Sequence, residues 1–267
     1  MQLRDVEGFV LDVDGTLVHR AGDVAHVEPG ARELLQRIRA SGRRFVLFTN
    51  GSHAPPEAFA AGLRAVGLPV DDDDVLTPLV SVQLYLQERH PGGAVLLFAD
   101  DSARDYLVEA GVPVLGGEGD PAAVFVAHAD TVEFTRLEQA ARAVLAGARL
   151  LTASYQPAYA GANGPIFSRG AMTAAAISKA TGARPVIVGK PSRAAVQAVA
   201  ERLGVPFDRL AVIGDDFGMD VALGRLGGAR TILVRSGISS GSGLDRLPES
   251  RRPHAVVDGT AELLDWL

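Results

Sequence analysis

Short apolar runs alternate with longer amphipathic segments along this chain. Near its start, residues 9–13 and 45–49 have the continuous apolar character of buried strands, and residues 29–40 and 55–66 have the periodicity of helices. Each of these helices has a proline at its start and a glycine soon after its end, which supports the assignment. The same alternation recurs near the C-terminus, with predicted strands at 185–188, 210–213, 231–234 and 256–257 and predicted helices at 192–203 and 218–226.

The middle of the chain carries a second cycle of strands and helices. Predicted strands lie at 94–99, 123–127 and 149–152, and predicted helices at 102–110, 134–146 and 170–181. Continuous Val, Ile and Leu runs between helices indicate parallel sheet that is covered on both faces. We therefore predict a doubly wound, Rossmann-like α/β core formed by residues 1–78 and 186–267, with an α/β domain inserted at 79–185. The alternative is one continuous, larger sheet.

The composition narrows the classes of protein to which this chain can belong. With 267 residues, of which 47% are hydrophobic, the chain can form a packed core without disulfides. The absence of cysteine excludes disulfide bonds, zinc–thiolate sites and a cysteine nucleophile. A net charge of −6 disfavours nucleic-acid binding. The sequence shows neither a signal-peptide pattern nor a membrane-length apolar run, so we expect a soluble, cytoplasmic protein with no membrane partner.

Polar side chains follow the predicted strands at the points where the strands end. In an open α/β sheet, ligands bind beyond the carboxyl ends of the strands, so we consider these residues as one group. The group consists of Asp12 and Asp14 after the first strand, Thr49, Asn50 and Gly51 after the second, Lys190 after the strand at 185–188, and Asp215, Asp216 and Asp220 after the strand at 210–213.

The aspartates of this group call for a cation. Carboxylates that converge without one repel each other, and some of them would stay protonated. Mg²⁺ removes this repulsion, since it binds oxygen ligands and typically uses one or two carboxylates together with water and phosphate. Asp12 and Asp215 are the natural ligands. Asp14 stands where the strand turns into Gly15, so its role can differ from that of Asp12.

The same residues suit a reaction at phosphorus. An aspartate can attack phosphorus as a covalent nucleophile, while a second acid protonates the leaving alcohol and later activates water; Asp14 can take that second role. Thr49 and the backbone N–H groups after it can hold phosphate oxygens. Lys190 is a compact point charge, where the wide fork of arginine would fit poorly. Only Lys179 and Lys190 are lysines, beside 24 arginines, which suggests that geometry matters at Lys190.

Four short motifs occur in a fixed order along the chain. They read Asp-Val-Asp-Gly-Thr at 12–16, Thr-Asn-Gly-Ser at 49–52, Gly-Lys-Pro at 189–191, and Gly-Asp at 214–215 with Asp220 five residues after Asp215. In order and spacing they resemble the four motifs of the haloacid dehalogenase-like (HAD) phosphatases. The insert between the second and third motifs resembles the large α/β cap, of type IIA, in the subfamily of NagD, the p-nitrophenyl phosphatases and pyridoxal phosphate phosphatase. The resemblance covers essentially the whole chain.

The resemblance implies an activity and a role for each residue of the group. It implies a Mg²⁺-dependent phosphatase that hydrolyses a small phosphorylated metabolite through an aspartyl-phosphate, beneath a cap that sets specificity and through which a homodimer can form. The implied roles are Asp12 as nucleophile, Asp14 as acid/base, Asp12, the Asp14 main-chain carbonyl and Asp215 as metal ligands, Thr49, Asn50, Gly51 and Lys190 as phosphate-binding residues, and Asp216 and Asp220 in the outer metal shell.

The sequence departs from the family pattern at two places. Relatives often carry an aspartate two residues before the last aspartate of the fourth motif, where this chain has Gly218; Asp216 can supply the missing charge. The cap of relatives often carries an Asn-Pro-Asp turn, whereas residues 154–158 read Ser-Tyr-Gln-Pro-Ala. Pro157 remains but its polar neighbours differ, so we do not expect the substrate preference of any one relative to carry over.

Simpler structural roles exist for several of these residues. Taken alone, Asp12 and Asp14 could form a turn after a strand, and Asp215 with Asp216 could cap the following helix, a role that is compatible with metal binding. Lys190 does not belong to a phosphate-binding P-loop, because a proline follows it where that motif requires Ser or Thr.

Other functions would use the same residues. A phosphotransferase would pass the phosphoryl group to a second alcohol, and a non-catalytic, receiver-like protein could also use Asp, Thr and Lys. A dehalogenase would need no metal, and the pair of Asp14 and Asp215 disfavours it. Outside the group, Lys179 is expected to be a solvated charge on a helix, and the acidic run 71–74 to be a linker or helix cap. His53 directly follows the phosphate loop and could reach a substrate.

Overall fold

The computed structural model describes residues 2–21, 24–161, 164–239 and 244–267. Numbered in chain order, its strands are β1 Gly8–Leu11, β2 Val18–Ala21, β3 Val24–Val27, β4 Arg44–Phe48, β5 Val75–Leu76, β6 Val95–Phe98, β7 Ala123–Val126, β8 Arg149–Thr152, β9 Ala158–Gly161, β10 Gly164–Phe167, β11 Val186–Ile187, β12 Leu210–Gly214, β13 Arg230–Val234 and β14 Ala255–Val257. Its α-helices are α1 Ala31–Ala40, α2 Pro56–Ala65, α3 Pro78–Arg89, α4 Asp101–Glu109, α5 Phe134–Leu145, α6 Arg169–Thr181, α7 Arg193–Leu203 and α8 Ala222–Gly227. A π-helical turn, Phe217–Val221, precedes α8.

The first sheet has parallel strands in the order β14-β13-β12-β1-β4-β5. Its centre is β1, where Val10 pairs in register with Val212 on one side and with Val46 on the other. Successive side chains of a strand point to opposite faces, so Phe9 and Leu11 pack in one buried cluster and Val10 in another. The sheet is therefore covered on both faces, and the prediction of a doubly wound α/β core is confirmed.

A second parallel sheet has the strand order β11-β8-β7-β6. Phe125 and Leu151 pack on one face of it with residues of α3 and α4, while Val124 packs on the other face with residues of α5 and α6. Within the described ranges, no strand pairing joins the two sheets, so they do not form the single larger sheet of the alternative.

The strand β11 belongs to the second sheet. Val186 and Ile187 pair with Leu151 and Thr152 of β8, although the sequence places this strand with the core segment 186–267. A strand of two residues carries too little pattern to show which sheet it joins. The division of the chain at residues 78 and 186 stays a prediction, and residues 186 and 187 themselves are part of the second sheet.

The helix α3 is absent from the sequence prediction. Six of its twelve residues are buried, because Leu79, Val82 and Leu86 pack with the second sheet while Val80 packs with the first. A helix that is buried on several sides has no polar face, so it lacks the periodicity by which a surface helix is recognised. The two antiparallel hairpins, β2–β3 and β9–β10, are also unpredicted, because their four-residue strands contain few β-branched and aromatic residues.

The carboxyl ends of the central strands meet at one edge of the first sheet. β1, β4 and β12 are neighbours there, and a hydrogen bond from Lys190 N to Asn50 Oδ1 (2.7 Å) brings the segment after β11 to the loop after β4. The predicted site residues therefore converge between the two sheets. No helix in the described ranges combines the length and the apolar character that crossing a membrane requires.

Candidate active site

Three aspartates converge at the carboxyl end of the first sheet. Asp12 follows β1, Asp215 follows β12, and Asp220 lies in the π-helical turn that precedes α8. One carboxylate oxygen from each lies within 4.8 Å of the other two. Gly15 permits this approach, because its φ is +85° and an added Cβ would lie 2.5 Å from Asp215 Oδ2.

Lys190 lies between two of these carboxylates. Its Nζ is 2.5 Å from Asp12 Oδ1 and 2.7 Å from Asp220 Oδ1, and its side chain is only 2% exposed. The ring centroid of Phe48 is 5.8 Å from the same nitrogen. A single buried ammonium group thus faces three carboxylates, and the cluster carries an excess of negative charge.

The excess charge is visible in the pKa values of the cluster. Burial raises the pKa of Asp12 to about 7, although Lys190 partly opposes the shift, and burial together with Asp12 raises that of Asp215 to about 7. Burial raises the pKa of Asp220 to about 6, again against Lys190. Burial alone would lower the pKa of Lys190, but Asp12 and Asp220 outweigh it and keep the ammonium protonated.

This donor set fits a hard divalent cation. It offers carboxylate oxygens and, within the described cluster, no nitrogen or sulfur ligand, which is the chemistry that Mg²⁺ prefers. A bound cation would also neutralise the charge that burial leaves uncompensated on Asp12 and Asp215. The cluster is thus a candidate metal site on its chemistry as well as on its spacing.

Asp14 lies at the open side of the cluster. Its side chain is exposed, in the turn where Gly15 N donates to Val18 O (2.8 Å), and its charge contributes to the raised pKa of Asp12. Thr16 is buried on the other side and donates its hydroxyl to Asp12 Oδ2 over 3.5 Å. The two aspartates of the first motif therefore differ in surroundings, one being enclosed and the other open to the solvent side.

The loop after β4 carries the predicted phosphate-binding residues. Thr49 is buried, and its Oγ1 accepts a hydrogen bond from Gly51 N (3.0 Å). A Cβ at Gly51 would lie 2.6 Å from the tip of the Phe59 ring, so any larger residue here would require that ring to move. This geometry turns the backbone tightly around the Thr49 hydroxyl.

The side chain of Asn50 contacts the backbone of the lysine segment. Its Oδ1 accepts from Lys190 N (2.7 Å), and its Nδ2 donates to Lys190 O (2.8 Å) and to Met219 Sδ (3.2 Å). The sequence suggests Asn50 as a phosphate-binding residue; in the structure its amide joins the second motif to the third and to the turn that carries Asp220. No sequence signal shows this, since the partner atoms are backbone atoms and a thioether.

The three aspartates of the fourth motif make different contacts. Asp215 accepts a hydrogen bond from Ile238 N (2.6 Å), a contact that the sequence could not show because its donor is a backbone group. Asp216 caps the following turn, accepting from Gly218 N (2.6 Å) and Met219 N (3.2 Å), and it lies outside the three-aspartate cluster. Asp220, which the sequence places in an outer metal shell, contacts Lys190 directly.

A cavity of about 580 Å³ opens between the phosphate loop and the second sheet. Two hydrogen bonds connect its walls: His128 N donates to Ser52 Oγ (3.0 Å), and Ser102 Oγ donates to the main-chain oxygen of His53 (3.2 Å). Of its lining residues, the sequence indicates only His53. The cavity is lined by His53, Ala99, Asp100, Asp101, Ser102, His128, Asp130 and Thr131.

Two protein families match separate parts of this chain. The family described as haloacid dehalogenase-like hydrolase matches residues 9–113, which include the first two motifs. The family described as HAD-hydrolase-like matches residues 187–263, which include the third and fourth. The matched segments contain every member of the three-aspartate cluster and Lys190.

Characterised relatives and solved structures resemble the chain over nearly its full length. Dihydroxyacetone phosphatase of Corynebacterium glutamicum is 28% identical over 257 residues, which cover 96% of this chain and 90% of that protein. The structure of 4-nitrophenylphosphatase from Thermotoga maritima is 28% identical, with a TM-score of 0.88 and 98% of each chain covered. NagD from E. coli K-12 is 27% identical, with a TM-score of 0.85, covering 96% of this chain and 98% of that one.

Proposed function

This chain belongs to the haloacid dehalogenase-like hydrolases, in the group of NagD and the p-nitrophenyl phosphatases, and is a phosphatase of small phosphorylated substrates; on that premise we propose that its reaction depends on Mg²⁺ and proceeds through an aspartyl-phosphate on Asp12. The observation that carries the proposal is the buried cluster in which Lys190 contacts Asp12 and Asp220 while Asp215 lies within 4.8 Å of both carboxylates. Such a cluster suits charged chemistry and is costly as mere structure.

The metal would be held by Asp12, Asp215 and the main-chain carbonyl of Asp14. When bound, Mg²⁺ would neutralise phosphate charge and so allow a carboxylate to approach a phosphate dianion. The hydrogen bond from Ile238 N keeps Asp215 oriented toward the cluster. Glycine at position 15 leaves room for the Asp215 carboxylate beside the first motif.

The chain's own residues divide the bond-making steps between them. A carboxylate oxygen of Asp12 attacks phosphorus, the bond from phosphorus to the leaving oxygen breaks, and Asp14 gives that oxygen its proton. Water then attacks the phosphorus of the aspartyl-phosphate, Asp14 takes up a proton from it, and the phosphorus–oxygen bond to Asp12 breaks. Inorganic phosphate leaves, and both aspartates return to their starting states.

The phosphoryl group would be bound by Thr49, the backbone of Gly51 and Lys190. Lys190 already touches the nucleophile, so one ammonium group can neutralise both the attacking carboxylate and the phosphoryl oxygens. Asn50 would serve as a positioning residue, because its amide oxygen and nitrogen contact Lys190 N and O at 2.7 and 2.8 Å. It would hold the backbone from which the lysine side chain extends.

Asn50→Ala should lower kcat by roughly one to two orders of magnitude and change the inhibition constant of inorganic phosphate much less. The variant loses the contacts that fix Lys190, and it loses no direct phosphate ligand. Steady-state kinetics with phosphate as a product inhibitor would measure both quantities. Gln197→Ala is a matched control, since it removes an amide that pairs with Glu201 on an exposed helix surface. Phosphate affinity that falls in step with kcat would instead make Asn50 a direct ligand.

Removal of divalent cations tests the metal proposal. Protein dialysed against EDTA should retain less than about one-hundredth of its activity toward p-nitrophenyl phosphate, sugar phosphates or pyridoxal phosphate, and added Mg²⁺ should restore it. Mg²⁺ should also raise the melting temperature, because it binds the folded cluster and neutralises its charge. Full activity in EDTA, with no change in melting temperature on adding Mg²⁺, would contradict the proposal.

A further inference from the structure

The cavity lies beside the phosphate loop, on the side that faces the second sheet. Its lining begins at His53, four residues after Thr49 in the same loop, and continues along the ends of β6 and β7. A phosphoryl group held by that loop has the first sheet behind it, so the remainder of the molecule points toward the second sheet. At about 580 Å³, the space lies in the range of small-molecule sites.

The walls of this cavity belong to both sheets. His128 N donates to Ser52 Oγ, and Lys190 N donates to Asn50 Oδ1, so loops from the two sheets are in direct contact at two places. Asp130 N donates to Asp100 Oδ1 (2.8 Å), which fixes the two acidic residues relative to each other. Hydrogen bonds from backbone N–H groups thus hold the lining residues in fixed positions.

The cavity lining carries negatively charged side chains and no positively charged lysine or arginine among the described residues. Asp100, Asp101 and Asp130 contribute carboxylates, and within the described residues no lysine or arginine lines the cavity. Arg169 pairs with Asp130 from outside the lining, but neither Asp100 nor Asp101 has a lysine or arginine partner in the described ranges. An anionic group entering here would meet the negative charges of Asp100 and Asp101, which no lysine or arginine of the described ranges neutralises.

The lining is also rich in hydrogen-bonding groups for hydroxyls. The carboxylate of Asp100 lies 3.8 Å from His128 Nε2, and the ring centroid of His53 lies 6.0 Å from that of His128. Carboxylates accept hydrogen bonds, and imidazole rings both donate and accept them. A chain of hydroxyl groups can use both kinds of partner.

We propose that this cavity is the leaving-group subsite and that it selects a short, uncharged, hydroxyl-bearing group while disfavouring a second anion. The proposal rests on the proposed function, because it assigns the part of the substrate that remains once the phosphoryl group is in place. Asp100 is the residue that determines specificity, Asp130 positions its carboxylate through the hydrogen bond from Asp130 N, and His53 and His128 supply the neighbouring hydrogen-bonding groups.

Glycerol 3-phosphate and 3-phosphoglycerate form a matched pair for the test, since they differ only in having a hydroxymethyl or a carboxylate group at the far end. The wild-type protein with Mg²⁺ should show kcat/KM about tenfold or more higher for glycerol 3-phosphate. Asp100→Asn should narrow that ratio at least about threefold, mainly by improving 3-phosphoglycerate. The asparagine keeps an oxygen that can accept from Asp130 N, so the wall should stay folded.

Asp73→Asn is the control for a general change in charge, because the Asp73 side chain is fully exposed and lies outside the cavity lining. It should leave the substrate ratio unchanged. Raising the salt concentration should also narrow the wild-type ratio, as screening weakens an electrostatic preference.

Hydrolysis of p-nitrophenyl phosphate separates the two proposals. If the protein hydrolyses it but shows no preference for glycerol 3-phosphate, or hydrolyses neither glycerol derivative, the subsite proposal is overturned and the proposed function stands. If no phosphomonoester is hydrolysed at all, the proposed function fails, and the subsite fails with it. A preference that Asp100→Asn leaves intact would overturn the assignment of Asp100.

Discussion

Asp12→Asn should abolish turnover, lowering kcat by at least about four orders of magnitude, because an amide cannot form the covalent bond to phosphorus. The substitution is nearly isosteric, and the amide oxygen can still accept from Lys190 Nζ, which is 2.5 Å from Asp12 Oδ1. The measurement is the rate of phosphate release with Mg²⁺ present. In parallel, brief incubation of the wild type with labelled substrate should yield labelled protein, and the variant should yield none.

An Asp12→Asn protein could be inactive simply because it does not fold. The pKa of Asp12 predicts instead that the variant is at least as stable as the wild type. Burial raises that pKa from an ordinary carboxylate value to about 7. A carboxyl group with a raised pKa in the folded state binds its proton more tightly there than in the unfolded state. Ionising it therefore destabilises the folded state. This loss of stability grows as the pH rises toward 7 and reaches its full size above pH 7.

At pH 8, the melting temperature of metal-free Asp12→Asn should accordingly be no lower than that of the metal-free wild type. The difference between the two melting temperatures should shrink as the pH is lowered. Melting curves at several pH values in EDTA would measure this. Asp73→Asn, which alters a fully exposed carboxylate, should melt like the wild type throughout. An Asp12→Asn protein that folds and keeps the wild-type rate would remove the nucleophile assignment.

Lys190→Arg should lower kcat by about two to three orders of magnitude although it keeps the positive charge. The Lys190 ammonium fits between Asp12 and Asp220 at 2.5 and 2.7 Å, close to the Phe48 ring, and its side chain is only 2% exposed. A planar guanidinium is wider, so it would displace one of these carboxylates or leave its other nitrogens without partners. Phosphatase kinetics on the purified variant give the measurement.

Two further variants make this result interpretable. Lys179→Arg is the matched control, since Lys179 is exposed in the last turn of α6 and should tolerate the exchange at full activity. Lys190→Met keeps the length of the side chain and removes its charge, so it should be at least as inactive and should leave Asp12 and Asp220 uncompensated. Near-normal rates for Lys190→Arg would show that charge alone suffices at this position.

Much of the candidate site was predictable from the sequence, because it depends on short-range patterns. Continuous apolar runs marked β1, β4 and β12, and polar residues followed each run directly. Since parallel strands end at the same edge, the convergence of Asp12 and Asp215 followed from topology without side-chain detail. Lys190 follows a strand of the second sheet, so its place beside them was indicated by the family motif and not by the topology. The family motifs added the division of roles between Asp12 and Asp14.

The parts that escaped prediction depend on partners far away in the chain. The amide of Asn50 is directed by Lys190 backbone atoms 140 residues away, and Asp215 is held by a backbone N–H group. The helix α3 shows no amphipathic pattern, because it packs with both sheets. Asp100 and Asp130 stand at strand ends of the second sheet, where no motif marks them, so only the fold reveals that they face His53.

The pairing of β11 with β8 has a practical consequence for chimeric phosphatases. A designer who exchanges the inserted domain at residue 185 would replace β8 while keeping the old β11, and would leave Val186 and Ile187 to bond with a foreign strand. Lys190 follows only three residues later, so any misfit at that junction would shift the Lys190 ammonium relative to Asp12 and Asp220. A graft that carries the donor's own β11, with its junction after residue 187, should keep that lysine in place.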